Sequence, residues 1–264
     1  GLMGTFVISG SSSGIGATTA ALLRGRGNRV IGVDLKDAYV IGDLSNAEGR
    51  AKAIAAIKAL LGEDRIDGIV PCAGVAGLTD VDPALVVSVN YFGAIGLVDG
   101  LRDVMRHQAS VVMLSSNSVT CQPGWPGEWA AACLAGDEAA AREKVKGGEA
   151  VQAYPATKAA LAAWVRRECV ARAKEGTRIN AVAPGLIATP MTKALRDDPV
   201  LGVFADLYPT ALDRPGRPGE VASVIEFLLS PASSLMVGSI VVIDGGCDAI
   251  VNPTPTLAAG VSLA

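Results

Sequence analysis

Tyr154 and Lys158 stand four residues apart in the stretch AYPATKAAL, Ala153 to Leu161. On a helix that spacing puts both side chains on one face, one turn apart. A phenol titrates near pH 10 in water, and a cation about 4 Å away favours the phenolate by a few kcal/mol at an effective dielectric of about 20. The pair therefore suits proton exchange with an alcohol, the lysine tuning the tyrosine. Taken alone it equally suits an exposed tyrosine beside a solvated lysine. Pro155 between them is compatible with a first helical turn. Ser115 and Ser116 close the apolar run SVVMLSS, on the side where a parallel sheet binds ligands. A hydroxyl there can hold a substrate oxygen or cap the next segment, and the pattern does not choose between the two serines. Asn90 falls inside the apolar run VVSVNYFGA, where an unpartnered amide is costly. It either satisfies backbone groups at a bend or anchors a water that relays protons from Lys158.

A second cluster points to a dinucleotide. The first strand runs into SGSSSGIGA, with Gly10, Gly14 and Gly16 at a strand-to-helix junction. Glycines there allow a tight turn and let a pyrophosphate approach the amides of a helix N-terminus. The spacing GxxxGxG is weak by itself, because a plain βα turn reads the same way. Asp34, ending the second strand, adds an acid where adenosine ribose hydroxyls are bound. A carboxylate at that place favours NAD and repels the 2′-phosphate of NADP; its neighbours Val33, Leu35 and Lys36 include no arginine. The same turn matches the G-x-S-x-G elbow of a serine hydrolase at residues 10–14. That reading needs a histidine, and the chain has one, His107, in the polar stretch RDVMRHQAS at an expected helix end. A third reading is a non-catalytic NAD-sensing protein, against which the combined serine, tyrosine and lysine argue.

The elements that would position these groups alternate in type. Strands are expected at TFVIS, RVIGVDL, YVIG, IDGIVPCA, SVVMLSS, RINAVAP and SIVVID, and helices near 14–26, 46–61, 84–106, 152–175 and 218–229. Strands apolar throughout imply helices on both faces, hence an α/β, Rossmann-type doubly wound sheet of seven parallel strands in one domain, residues 1–264. Residues 121–150 read as an insertion and 185–210 as a substrate lid, with Leu186, Ile187, Met191, Leu195, Val203, Phe204, Leu207 and Tyr208 as an apolar pocket. Half of the 264 residues are hydrophobic, enough for one large core, and the net charge of −3 provides no footprint for nucleic acid or an anionic membrane. Cys72, Cys121, Cys133, Cys169 and Cys247 form no CxxC pair, so no metal is expected. Reduced thiols, together with the lack of a basic leader or of about 18 uninterrupted apolar residues, lead to the expectation of a cytoplasmic protein that binds small molecules or copies of itself.

In this order the motifs resemble the classical short-chain dehydrogenases/reductases over nearly the whole chain. The resemblance rests on Gly10-x-x-x-Gly14-x-Gly16, Asp43-Leu44, CAG at 72–74, Asn90, Ser116, Tyr154-x-x-x-Lys158, and PG at 184–185 followed by Thr189. Within the family, AEGR at 47–50, VVSVNYFGA at 86–94, SVIEFLLSPASS and VIDGGCDAI are most similar to bacterial 3α-hydroxysteroid dehydrogenase/carbonyl reductases. The resemblance implies catalysis by Asn90, Ser116, Tyr154 and Lys158. It also implies an NAD site at Gly10, Ser12, Ser13, Gly14, Ile15, Gly16, Asp34, Asp43, Leu44, Ala73, Gly74, Tyr154, Lys158, Pro184, Gly185, Ile187 and Thr189. The substrate would be a bulky hydrophobic ketone or secondary alcohol. Family members often form tetramers, but residues 121–150 fall between the serine and tyrosine elements and lead us to expect a homodimer. PCAG stands where the family usually has NNAG, and YPATK where YSASK is commoner.

Overall fold

The strands are apolar on both sides because both faces of their sheet are covered. The computed structural model describes residues 3–205 and 207–264. Its strands are β1 (Thr5–Ser9), β2 (Arg29–Asp34), β3 (Val40–Ile41), β4 (Ile66–Pro71), β5 (Met105–Leu114), β6 (Thr177–Pro184) and β7 (Ile240–Ile243). All pair in parallel, in the order β3-β2-β1-β4-β5-β6-β7. The helices are α1 (Gly14–Gly25), α2 (Ala47–Leu61), α3 (Pro83–Val86), α4 (Ala94–Gly100), α5 (Ser118–Cys121), α6 (Gly127–Leu134), α7 (Glu138–Val145), α8 (Ala150–Lys174), α9 (Pro190–Asp197), α10 (Pro218–Leu229) and α11 (Cys247–Val251). Alternate strand residues serve two cores. Val7, Ile31, Ile69, Val111 and Ile179 face α2, α4 and α8, while Phe6, Ile8, Val30, Val70 and Val182 face α1 and α10. The chain winds outward from β1 to β3 and then the opposite way from β4 to β7, so a crevice opens at the carboxyl ends of β1 and β4, the usual ligand position of such sheets.

Three expectations change at the level of elements. The helix expected to reach residue 106 leaves α geometry at Gly100, closes in a 3-10 turn over Arg102–Val104, and gives way to β5 at Met105, five residues ahead of its apolar run. Pairing of Met105 with Ile66 draws this polar stretch into the sheet, and Gln108 takes φ 68° at the resulting irregularity. His107 is therefore an exposed strand residue near the amino end of β5, at the opposite end of the sheet from Ser12. That separation removes the hydrolase pairing of the two. Pro155 lies beyond the first turn, because α8 starts at Ala150. Its missing N–H leaves the carbonyl of Val151 without a helical donor, and Gln122 Nε2 supplies one at 2.9 Å.

Residues 121–150 fold into α6 and α7, which pack Trp129, Cys133, Ala141 and Val145 against α8 and the α3–α4 segment. Arg50 of α2, 8% exposed, ties them to the rest by donating to Glu138 at 2.7 Å through both of its terminal nitrogens and to the carbonyls of Leu44 and Ser88. Arg142 of α7 adds bonds to Ser88 Oγ and to the carbonyl of Ala84. Among the described residues one helical run, Pro83–Val104, is long and apolar enough to span a membrane by composition, with a mean hydropathy of 1.6. It serves here as a core helix, 67% of its most apolar window being buried.

Candidate active site

Two adjoining cavities occupy the crevice, one of about 450 Å³ running from the glycine turn past Asp34 and Gly74, the other of about 570 Å³ under residues 186–209. Ser116, Tyr154, Gly185, Met191 and Thr192 line both.

The first cavity has the features of a dinucleotide cradle. Gly10 has φ 65°, and a Cβ there would fall 2.7 Å from the amide of Ala73; a Cβ on Gly16 would fall 2.1 Å from the carbonyl of Gly10. No side chain fits at either place. Ser13 precedes α1 without capping it, which leaves the first-turn amides of a 12-residue helix open toward the cavity. Ser13, Gly14, Ile15, Asp34, Asp43, Leu44, Ala73, Gly74, Pro184, Gly185, Ile187 and Thr189 all line it. Ser12 does not. Its amide and hydroxyl donate to Asp34 Oδ2 at 3.0 and 2.6 Å, so it orients the carboxylate. Asp43 accepts from Ser45, whose hydrogen bonds hold its carboxyl below the usual carboxylate range. These residues fit the diphosphate and riboses of NAD.

At the junction of the cavities the serine pair separates by direction. Ser115 Oγ turns inward and donates to the carbonyl of Lys158 at 2.9 Å. Ser116 Oγ instead accepts from the amide and hydroxyl of Ser118, at 3.1 and 2.9 Å, and its residue lines both cavities together with Tyr154. Lys158, 7% exposed, donates to the carbonyl of Leu114 at 2.9 Å, and its Nζ lies 5.6 Å from the centre of the Tyr154 ring. Burial dominates both groups. It pushes the phenol up to about 12, against the smaller opposing effect of Ser116, and the ammonium down to about 8. The expected lowering of the tyrosine by the lysine does not appear against this burial, and the Lys158 ammonium directs its hydrogen bond to Leu114.

Asn90 is 1% exposed and sits in a π-helical stretch, Val87–Gly93, between α3 and α4. Its Oδ1 accepts from the amide of Val75 at 2.7 Å and its Nδ2 donates to the carbonyl of the same residue at 3.1 Å. Both ends of the amide are thus committed to the loop after β4.

The second cavity is lined by Leu186, Met191, Leu195, Phe204, Leu207 and Tyr208, as expected, and also by Leu78, Gln122, Val151 and Leu201. Ile187 is instead buried in the core on the α10 side, and Val203 is 70% exposed. Asp198 fastens the segment over the cavity by accepting from the amide and hydroxyl of Thr79, at 2.9 and 2.7 Å. Asn117, Ser118 and Gln122 were not singled out from the sequence. Only their place after Ser116 hinted at them.

The comparisons agree with this geometry. Residues 6–188 match the model of the NAD dependent epimerase/dehydratase family, and residues 138–248 that of an enoyl-(acyl carrier protein) reductase family. The chain is 41% identical to a 3-alpha-hydroxysteroid dehydrogenase/carbonyl reductase of Comamonas testosteroni, over 96% of this chain and 99% of that one. It is 32% identical to a coniferyl-alcohol dehydrogenase of a Pseudomonas species, over 91% of this chain and 94% of that one. Among solved structures it superposes on the 3-alpha-hydroxysteroid dehydrogenase of Pseudomonas sp. B-0831 complexed with NADH, with a TM-score of 0.89 and 40% identity, over 96% of this chain and 100% of that one.

The buried phenol makes a direct prediction. A group raised to about 12 keeps its proton throughout the neutral and mildly alkaline range. In an ultraviolet titration of the ligand-free protein, the difference between wild type and Tyr154→Phe should show no phenolate below about pH 10. A difference signal rising near pH 8 would contradict the burial of this hydroxyl. With identity of 41% along nearly its whole length, and with the crevice, glycine turn and tyrosine–lysine helix in place, the chain belongs to the short-chain dehydrogenase/reductase family.

Proposed function

We propose that the protein is an NAD(H)-dependent oxidoreductase that interconverts a hydrophobic secondary alcohol and its ketone, with Tyr154 as acid and base. The observation that carries this reading is that Ser116 and Tyr154 line both a dinucleotide-shaped cleft and the apolar pocket beside it. NAD, when bound, supplies the hydride acceptor or donor. Ser116 holds the substrate oxygen, its own oxygen being oriented by Ser118. Tyr154 takes the alcohol proton in oxidation and returns it in reduction. Lys158 holds positive charge beneath the tyrosine and contributes to the ribose site. Asn90 is a positioning residue that fixes the loop from Cys72 to Val75 along the cofactor cleft.

A pocket of about 570 Å³ with mainly aliphatic and aromatic walls suits a rigid polycyclic substrate such as a 3α-hydroxysteroid. The similarity to two hydroxysteroid dehydrogenases supports the same class. We read the chain as one domain, with residues 185–210 as the lid over this pocket and 121–150 as an insertion.

Three outcomes test the reading. Tyr154→Phe removes one hydroxyl and should lower turnover at least about a hundredfold, the scale of general acid–base catalysis, with cofactor affinity nearly kept. Near-normal turnover in the folded variant would end the proposed mechanism. For the cofactor, the Asp34 carboxylate favours NAD over NADP by at least about a hundredfold in kcat/KM, roughly 2.7 kcal/mol, and Asp34→Ala should narrow that ratio. Equal use of the two cofactors by the wild type would withdraw Asp34 as the ribose ligand. For assembly, α6 and α7 cover the flank of α8 and the α3–α4 segment, and this supports a homodimer over a tetramer built on those helices. Light scattering should give the mass of two chains; a compact tetramer would refute the dimer.

A further inference from the structure

One cluster of ligating side chains lies outside the chemistry described so far. Cys121, Asp244 and Cys247 present three ligand atoms that all lie within 4.8 Å of one another. A tetrahedral zinc, with Zn–S of about 2.3 Å and Zn–O of about 2.1 Å, keeps such atoms roughly 3.6–3.8 Å apart, so closing the gap takes side-chain adjustment alone. We propose that Cys121, Asp244 and Cys247 bind a thiophilic divalent cation of the zinc class beside the substrate pocket.

The donor set decides the class of ion. Two thiolates with one carboxylate suit zinc, whereas magnesium and calcium take oxygen ligands. The surrounding backbone is built to hold the three groups. Gly245 and Gly246, with φ 65° and 95°, make a turn that brings Cys247 back beside Asp244. Asp244 is oriented by the amides of Gly246 and Asp248, at 3.0 and 2.7 Å, and by Asn117 Nδ2 at 3.1 Å, the outer hydrogen bonding that fixes a ligating carboxylate. Cys121 ends α5, which is joined to α11 by Thr120 Oγ1 donating to Asp248 and by Asn252 Nδ2 donating to the carbonyl of Thr120 at 3.0 Å. Cys247 is 3% exposed, while Cys121 and Asp244 are partly open, so the three groups can be reached from solvent on their side. Spacing rules look for close cysteine pairs and pass over this site, because Cys121 lies far from Asp244 and Cys247 along the chain.

Binding is read without turnover, so the site stands or falls separately from the oxidoreductase reading. Freshly reduced protein, freed of reductant, is titrated with zinc against a chromophoric chelator and with cobalt by absorption spectroscopy. The expected result is about one equivalent of zinc with Kd below about 1 μM, together with a thiolate-to-cobalt charge-transfer band. Cys121→Ser and Cys247→Ser should each weaken zinc at least about a hundredfold and diminish the band, while Cys169→Ser, which removes a thiol elsewhere, should keep both. The proposal is overturned if cobalt gives no thiolate band in the wild type. It is equally overturned if the wild type binds no more zinc than the Cys121→Ser/Cys247→Ser double variant. The wild-type cobalt spectrum needs no variant to fold.

Discussion

A buried ammonium organises this protein. Lys158 cannot remain charged away from water without a partner, and the partner it finds is the carbonyl of Leu114, the last residue of β5. The reciprocal bond from Ser115 Oγ to the carbonyl of Lys158 locks the same two elements together from the other side. Helix α8 is thereby held at one height and rotation against the end of β5, and Tyr154, one turn earlier, is brought over Ser116. Burial also sets the resting state of the pair, a proton-retaining phenol above an ammonium that gives up its proton more readily than in water.

The opposite wall of the cleft depends on a chain of buried polar contacts. Asn90 can clamp Val75 because the helix carrying it widens to a π-turn, a local irregularity common at functional sites. That helix is in turn gripped at Ser88 by Arg50 and Arg142, and Arg50 is completed by Glu138. Residues 121–150 are thus more than a surface cover. They provide the carboxylate that satisfies a buried guanidinium next to the cofactor wall, and leaving that charge unpaired would cost several kcal/mol in a well-buried setting. Glu138 keeps some exposure, which reduces the figure here.

Substrate selection and chemistry are placed on different materials. Ser116, Tyr154 and Lys158 sit at a strand end and on α8, both deeply packed, whereas the apolar pocket is lined by described residues between 186 and 209 that carry the short helix α9 and are fastened by Asp198 and Thr79. A pocket wall of this kind can change shape without disturbing the positions of Ser116, Tyr154 and Lys158.

Much of this was legible in the residue order alone. Apolar strands alternating with helical periods determined a doubly wound parallel sheet, the glycines at 10, 14 and 16 with Asp34 determined a dinucleotide turn, and Tyr154 with Lys158 determined one reactive helix face, because each depends on local spacing. Only the tertiary structure decided which of Ser115 and Ser116 reaches both cavities, since both follow the same strand and Ser115 Oγ is turned to the carbonyl of Lys158. It alone made His107 a strand residue, through pairing with β4 that overrides a polar sequence, and it alone placed Gln122 over the gap left by Pro155. Local spacing also misled about the tyrosine. A lysine four residues away promises a lowered phenol, but the outcome depends on how deeply the hydroxyl is desolvated, a quantity that only the packed molecule possesses.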